Sequence, residues 1–256
     1  MRPAGSQSLD PVKLETLTAE VALADVIPTA SRLTTGTVRS RVALPVSPDA
    51  GYTSPIPISK RERFMSTQAP FPISRFPVPT LEEMPEDIRE RLLAVQEKAG
   101  FIPNVFLALA HRPEEFRAFM AYHDALMDKP GVLTKAEREM IVVVTSNANQ
   151  CQYCVVAHGA ILRIRAKNPL VADQVAINYR KADITPRQKA MLDFAMKVAF
   201  EAYAVGDGDL ATLAEHGFDK EDAWDIAAIA AFFGMSNRIA NVTSMRPNDE
   251  FYSMGR

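Results

Sequence analysis

Residues 134–158 read TKAEREMIVVVTSNANQCQYCVVAH, and the signals in this stretch predict two consecutive helices. The stretch opens on TKAE, a capping box in which threonine and glutamate satisfy each other's backbone N–H groups at a helix start. The apolar run IVVV sits inside this capped pattern, without the alternation and hairpin turns that mark β-strands. The polar segment SNANQ then interrupts it, and Asn149 is predicted to cap a second helix that begins at about Gln150 or Cys151.

Both flanks of this stretch carry the same kind of helix punctuation. Gly100 and Gly217 are predicted helix stops, and a GDGD turn at 206–209 is expected to precede a short helix. Proline is common at the first helical position, where its missing N–H has no partner to lose. It stands at such a position in three segments: MPEDIRERLLAVQEKAG (84–100), RPEEFRAFMAYHDALM (112–127) and TPRQ (185–188).

The last predicted helix begins near Asp219 and includes AWDIAAIAAFFGMSNRIANV (223–242), which is apolar on nearly all sides. Such a helix is deeply packed or lies at an oligomer interface. Trp224 is interpreted as a core or oligomer anchor. Asn237 and Arg238 are interpreted as structural polar groups that have the option of contributing to a site. These patterns together predict an all-α fold.

The composition excludes several classes of protein. The chain has 256 residues, 47% of them hydrophobic, and a net charge of -2, so one domain with a substantial core is expected, with no nucleic-acid or anionic-membrane partner. No apolar run reaches the roughly 18 residues of a membrane span. The opening residues MRPAGSQSLDPVK lack the apolar core of a secretory signal, so a cytoplasmic location is expected.

Residues 1–64 differ in composition from the rest of the chain. They are rich in Pro, Ser and Thr and show no sustained apolar period, so a disordered extension is predicted. An alternative interpretation is that translation starts at Met65 and that the first 64 residues come from an over-extended gene prediction. In either case residues 65–256 are expected to form the folded domain.

The two cysteines of the chain lie within one four-residue window, and a histidine follows four residues later. On a helix, Cys151, Cys154 and His158 would fall within one arc of about 60°. A helix N-terminus and a neighbouring imidazole can each lower a thiol pKa, and the thiolate is the nucleophilic form. Glu139, on the preceding helix, is a candidate to orient His158 and to take up the thiol proton.

Spacing alone leaves open which cysteine attacks. The helix dipole favours Cys151, which is nearer the helix start, whereas the imidazole favours Cys154, which is i,i+4 to His158. Glu139 also has a simpler interpretation as an exposed helix acid.

The pattern E-x11-C-x-x-C-x3-H, filled by Glu139, Cys151, Cys154 and His158, resembles the alkylhydroperoxidase D (AhpD) motif of the carboxymuconolactone decarboxylase-like superfamily. Two flanking segments are similar to its peroxidase-related branch: GFIPNVFLALAHRPEEFRAF (100–119) and AEHGFDKEDAWDIAAIAAFFGMSNRIAN (214–241). The resemblance covers roughly residues 75–256.

This resemblance implies an all-helical AhpD-like domain that is an obligate homo-oligomer, with the active site near a subunit contact. It implies an antioxidant peroxidase in which Cys154 is peroxidatic, Cys151 resolves the sulfenic acid as a Cys151–Cys154 disulfide, and Glu139 and His158 form a proton relay. It implies no bound cofactor and no metal. A hydroperoxide would be the substrate, and an external dithiol on a partner protein, lipoyl-type or thioredoxin-like, would be the reductant.

Tyr153 departs from the best-known members, which have a histidine between the cysteines. It is a candidate pocket residue, but a phenol with a pKa of about 10 is no base near neutral pH. His123 is interpreted as a core or interface histidine. Four alternatives stay open: a zinc site made by the cysteines with His158 and Glu139, a lactone decarboxylase, a general thiol–disulfide oxidoreductase, and inert thiols in a helical oligomerisation module.

Overall fold

The computed structural model describes residues 72–256, and this part of the chain contains helices and turns but no β-strand. The all-α prediction is therefore confirmed. The predicted extension over residues 1–64 and the alternative start at Met65 lie outside the described residues. The α-helices are α1 (Glu86–Ala99), α2 (Asn104–Leu109), α3 (Pro113–Met127), α4 (Lys135–Ala148), α5 (Gln152–Ala166), α6 (Val171–Asn178), α7 (Pro186–Glu201), α8 (Asp207–Glu215), α9 (Lys220–Val242) and α10 (Glu250–Ser253).

The helix starts follow the local signals of the sequence. Capping boxes open α4 at Thr134 and α7 at Thr185, as predicted, and Asp219 caps α9 in the same way. The GDGD segment was expected to be a turn before α8, but the helix begins inside it at Asp207. The Asp209 carboxylate accepts the backbone N–H of Gly206 at 2.8 Å and so supports a helix start inside the segment.

Helix α4 is the central element of the domain. It packs against α5, α6, α7 and α9, and most of its length is buried. The run Ile141–Val144 is almost entirely inaccessible, which explains why β-branched residues are found in a helix here: packing on every side outweighs their weak helix preference. The main apolar core lies between α4, α7 and α9.

A second, smaller core surrounds the start of α5. It includes Cys151, Tyr153 and Cys154, together with the aromatic pair Phe101 and Phe251, whose ring centres are 5.2 Å apart. Helix α10 packs on α5 from this side. The cysteine-bearing end of α5 is therefore held inside an apolar cluster and does not project from the surface.

Trp224, on α9, lies at the surface of the domain. Trp224 is 72% exposed, so its interpretation as a core anchor is wrong for the single chain, and its role at an oligomer contact stays a prediction. Within residues 72–256, no helix is long and apolar enough to cross a membrane.

Candidate active site

The loop between α4 and α5 places the two cysteines. Asn149 ends α4 and does not begin α5, so the predicted N-cap is wrong. The chain leaves the helical path at Gln150, whose φ of 53° is left-handed, and Cys151 then becomes the N-cap. Its Sγ accepts the backbone N–H of Cys154 at 3.4 Å, the role that a serine or aspartate oxygen usually fills.

The pKa values of the two thiols are shifted in opposite directions. The Cys154 thiol, which donates to Cys151, is the main cause that lowers the pKa of Cys151, and the Cys154 backbone N–H and the Asn237 amide add to the effect against the cost of burial. The same contact, with burial and the negative charge on Cys151, raises the pKa of Cys154 well above its ordinary value. Cys151 is therefore the first of the pair to become a thiolate.

His158 is held by a buried carboxylate. Its Nδ1 lies 2.7 Å from Oε2 of Glu139, and Nη1 of Arg165 lies 2.9 Å from the other oxygen of that carboxylate. Glu139 is 2% exposed, so its interpretation as an exposed helix acid is wrong. Since Nδ1–H donates to the carboxylate, Nε2 carries the lone pair of the neutral ring and is the atom that can accept a proton.

The charge state of Glu139 decides its role. Burial alone would raise the pKa of this carboxyl, but the charges of His158 and Arg165 and the hydrogen bond from His158 outweigh burial and lower it. A carboxylate with a lowered pKa is a weak base and therefore a poor acceptor of the thiol proton. Glu139 is thus suited to anchor and polarise His158, and Arg165, which sequence analysis did not single out, fixes Glu139 in turn.

Asn237 is the polar group that sequence analysis undervalued. It is fully buried on α9, its Nδ2 donates to Ser146 Oγ at 2.9 Å, and its Oδ1 accepts from Asn149 Nδ2 at 3.0 Å. It also lies against both thiols and lowers the pKa of each. Asn237 thus holds the loop and stabilises the thiolate. Arg238, by contrast, is exposed and bonds to Gly234 of its own helix.

Tyr153 occupies a structural position in the described site. Its hydroxyl accepts the backbone N–H of Val105 at 3.2 Å, which ties α5 to the start of α2. Burial raises the pKa of this phenol far above its ordinary value. Tyr153 therefore stays neutral and supplies no base in place of an imidazole.

The zinc alternative requires a cluster of ligand side chains. Among the described residues, no group of three or more His, Cys, Asp and Glu side chains could hold a metal ion. Both oxygens of Glu139 are already bonded, one to His158 and one to Arg165.

Comparisons with known proteins identify the family of this chain. The model of the carboxymuconolactone decarboxylase family matches residues 113–177. This range includes Glu139, Cys151, Cys154 and His158. A solved structure from Ralstonia eutropha JMP134, described as an alkylhydroperoxidase AhpD core and an uncharacterized peroxidase-related protein, is 72% identical. The match covers 72% of this chain and 97% of that one, with a TM-score of 0.72. This chain belongs to the AhpD-like, peroxidase-related branch of the carboxymuconolactone decarboxylase family.

Further comparisons give a second peroxidase-related relative and a more distant protein with the same fold. An uncharacterized peroxidase-related protein from Silicibacter sp. TM1040 is 39% identical over 75% of this chain and 100% of that one, with a TM-score of 0.70. The debrominase Bmp8 shares the AhpD-like fold alone, at 20% identity over 65% of this chain and 88% of its own, with a TM-score of 0.55. No curated protein matches the chain.

The buried amide of Asn237 gives a first testable prediction. In Asn237→Ala the Cys151 sulfur loses a hydrogen-bond donor that lowers its pKa, so the pKa of Cys151 is expected to rise. The pH dependence of iodoacetamide labelling measures it. Asn241→Ala is the matched control, because Asn241 bonds to the same loop, through the Asn149 carbonyl, yet is exposed. An equal shift in both variants would assign the effect to the loop.

Proposed function

We propose that this chain is a thiol-dependent peroxidase that reduces organic hydroperoxides, and hydrogen peroxide, through Cys151 and Cys154. The observation that carries the proposal is the position of two buried cysteines in the first turn of α5, where Cys151 Sγ accepts the Cys154 backbone N–H at 3.4 Å and the pKa of Cys151 is lowered by the neighbouring Cys154 thiol. Two neighbouring thiols, one of which can take the proton of the other, are the arrangement that a peroxide-reactive cysteine pair requires.

The chemistry balances with one proton from solvent. A cysteine thiolate attacks the peroxide R–O–O–H, an S–O bond forms, the O–O bond breaks, and the leaving RO⁻ is protonated to ROH. The second sulfur then displaces hydroxide from the sulfenic acid, which forms the Cys151–Cys154 disulfide and, after protonation, water. An external dithiol reduces the disulfide and becomes oxidised itself.

Two arguments about which cysteine attacks the peroxide disagree. Family resemblance favours Cys154 as the peroxidatic residue, with Cys151 resolving and with His158 and Glu139 as the relay. The lowered pKa of Cys151 favours the reverse assignment. We keep Cys154 as the attacking residue, because the Cys151 thiolate is already in hydrogen-bond contact with the Cys154 thiol and can accept its proton.

Two further parts of the proposal concern partners. The reductant would be a dithiol on another protein, lipoyl-type or thioredoxin-like, and the active form would be a homo-oligomer. Exposed aromatic side chains on α9 and next to α7, Trp224 and Tyr203, are the kind of surface residue that an interface between copies would cover.

The deciding experiment treats the reduced protein with cumene hydroperoxide. We expect both free thiols to disappear, the mass to fall by about two hydrogens through an internal disulfide, and dihydrolipoamide to restore both thiols. A protein that keeps both thiols free would be the inert helical module. One that exchanges readily with disulfides, yet leaves hydroperoxide unreduced, would be a general thiol–disulfide oxidoreductase.

A further inference from the structure

A second imidazole lies beside His158 on a different helix. The ring of His123, on α3, is centred 6.4 Å from the ring of His158, and both rings pack on Phe233, at 6.3 Å and 4.8 Å between centres. Sequence analysis did not predict this pairing, because His123 falls on an ordinary apolar helix stripe. The structure places it next to the candidate active site.

His123 is anchored in the same way as His158. Its Nδ1 lies 3.1 Å from Oδ1 of Asp124, and the other oxygen of Asp124 accepts a hydrogen bond of 2.7 Å from Arg91. Burial alone would raise the pKa of Asp124, but the hydrogen bonds from His123 and Arg91 lower it, so this carboxylate stays ionised. Each imidazole thus has an arginine-fixed carboxylate on Nδ1, which leaves Nε2 available for proton exchange.

The exposed fraction of the side chain increases from the buried carboxylate Glu139 through His158 to His123. The exposed fraction of the side chain is 2% for Glu139, 13% for His158 and 23% for His123. The cysteines themselves are 1% and 3% exposed. His123 is therefore the imidazole nearer to solvent, and His158 is the one nearer to the buried pair.

The proposed reaction requires protons to move between solvent and the buried cysteine pair. If the reduced pair holds one thiolate and one thiol, its oxidation by ROOH to the disulfide, ROH and water takes up one proton. Reduction of the disulfide by a dithiol, which returns one thiolate and one thiol, releases one proton. Each turnover therefore moves a proton into the buried site and another one out.

We propose that His123 is a relay residue, which acts through His158 to exchange protons between the buried cysteine pair and solvent. The inference rests on the peroxidase function proposed above, since that reaction creates the need for proton exchange. An imidazole suits this task, because its free ring nitrogen can both accept and release a proton. The charged groups around the ring pair are Asp124, Arg91, Glu139 and Arg165.

The test compares wild type, His123→Gln and His216→Gln. His216 is the matched control, because it stands at the end of α8, outside the site. Quenched-flow counting of free thiols measures oxidation by cumene hydroperoxide near neutral pH, first in dilute buffer and then with added imidazole. We expect His123→Gln to be slower by about a hundredfold in dilute buffer, and imidazole to restore most of the rate by carrying protons in its place.

Three outcomes would overturn the relay. They are a wild-type rate in His123→Gln, a loss that imidazole does not restore, and an equal loss in His216→Gln. Asp124→Asn is a second variant, because it keeps both rings and weakens the contacts of Asp124 with His123 and Arg91. It is expected to shift the pH profile of the oxidation rate.

A second measurement separates this inference from the proposed function. If reduced wild type does not react with hydroperoxide, the peroxidase proposal fails, and the relay is then judged by NMR. A coupled pair requires the titration of the His123 ring signals to shift in His158→Gln but not in His216→Gln. Unchanged titration of the His123 signals in His158→Gln would contradict the coupling between the two rings on which the relay depends.

Discussion

Cys154→Ser is expected to lower dithiol-dependent reduction of cumene hydroperoxide by at least about a thousandfold, to the background of the uncatalysed reaction. Serine keeps the size of the side chain and its place in the second core, but its hydroxyl does not attack peroxide oxygen. The measurement is peroxide consumption with dihydrolipoamide as the reductant. Full activity in Cys154→Ser would contradict the proposed roles.

Cys151→Ser is the matched control, because it removes the partner sulfur and leaves the attacking one. We expect a single turnover that stops at the sulfenic acid of Cys154, which dimedone captures and mass spectrometry locates. Repeated turnover should be lost, because no internal disulfide can form. If dimedone instead labels Cys151 in Cys154→Ser and nothing in Cys151→Ser, then the residue with the lowered pKa is also the attacking one.

Glu139→Gln carries the second large expected effect. The change removes the carboxylate that holds His158 and faces Arg165 in a buried setting, so the free energy of unfolding is expected to fall by about 3 kcal/mol. The rate of thiol oxidation should fall by at least about a hundredfold, because the imidazole loses the group that orients and polarises it. Urea denaturation and stopped-flow peroxide kinetics measure the two effects.

Glu137→Gln is the control for Glu139→Gln. Glu137 is also a buried carboxylate of α4, bonded to Arg187 and to the Thr134 cap, but it does not contact His158. Its loss should cost stability and leave the oxidation rate of the folded protein near that of wild type. Equal rate losses in both variants would mean that Glu139 acts only through the fold.

The stabilising effect of Glu139 should depend on pH in a definite direction. The pKa of this carboxyl is lowered in the folded chain from its ordinary value of 4.5, so the folded state favours the ionised form. The stability difference between wild type and Glu139→Gln is therefore expected to be complete above about pH 4.5 and to shrink as the pH falls through the folded pKa. A difference that grows on acidification would contradict this charge assignment.

Local signals in the sequence predicted most of the fold. The threonine and aspartate caps mark helix starts because their hydrogen bonds span only three residues, as at Thr134 and Thr185. The same locality explains the error at Asn149, since an asparagine side chain can serve either end of a helix. Only the left-handed backbone of Gln150 decides that Cys151 caps α5.

The parts of the site that sequence analysis missed depend on contacts between distant segments. Arg165 reaches Glu139 from the next helix, and Asn237 reaches Ser146 from the far end of the domain. His123 meets His158 only because α3 packs against α9 near Phe233. No spacing rule connects such residues, so the motif predicted the reacting groups but not the groups that set their charge.

The depth of the sulfurs has a consequence for the reductant in the proposed cycle. With Cys151 and Cys154 only 1% and 3% exposed, a dithiol fixed in the broad face of a globular protein would meet the surrounding wall before it met the disulfide. A dithiol at the tip of a long, slender swinging arm, as in a lipoyl group, would pass through a much narrower opening. The reach of the donor, more than its redox potential, is therefore expected to decide which of the two reductant types serves this protein.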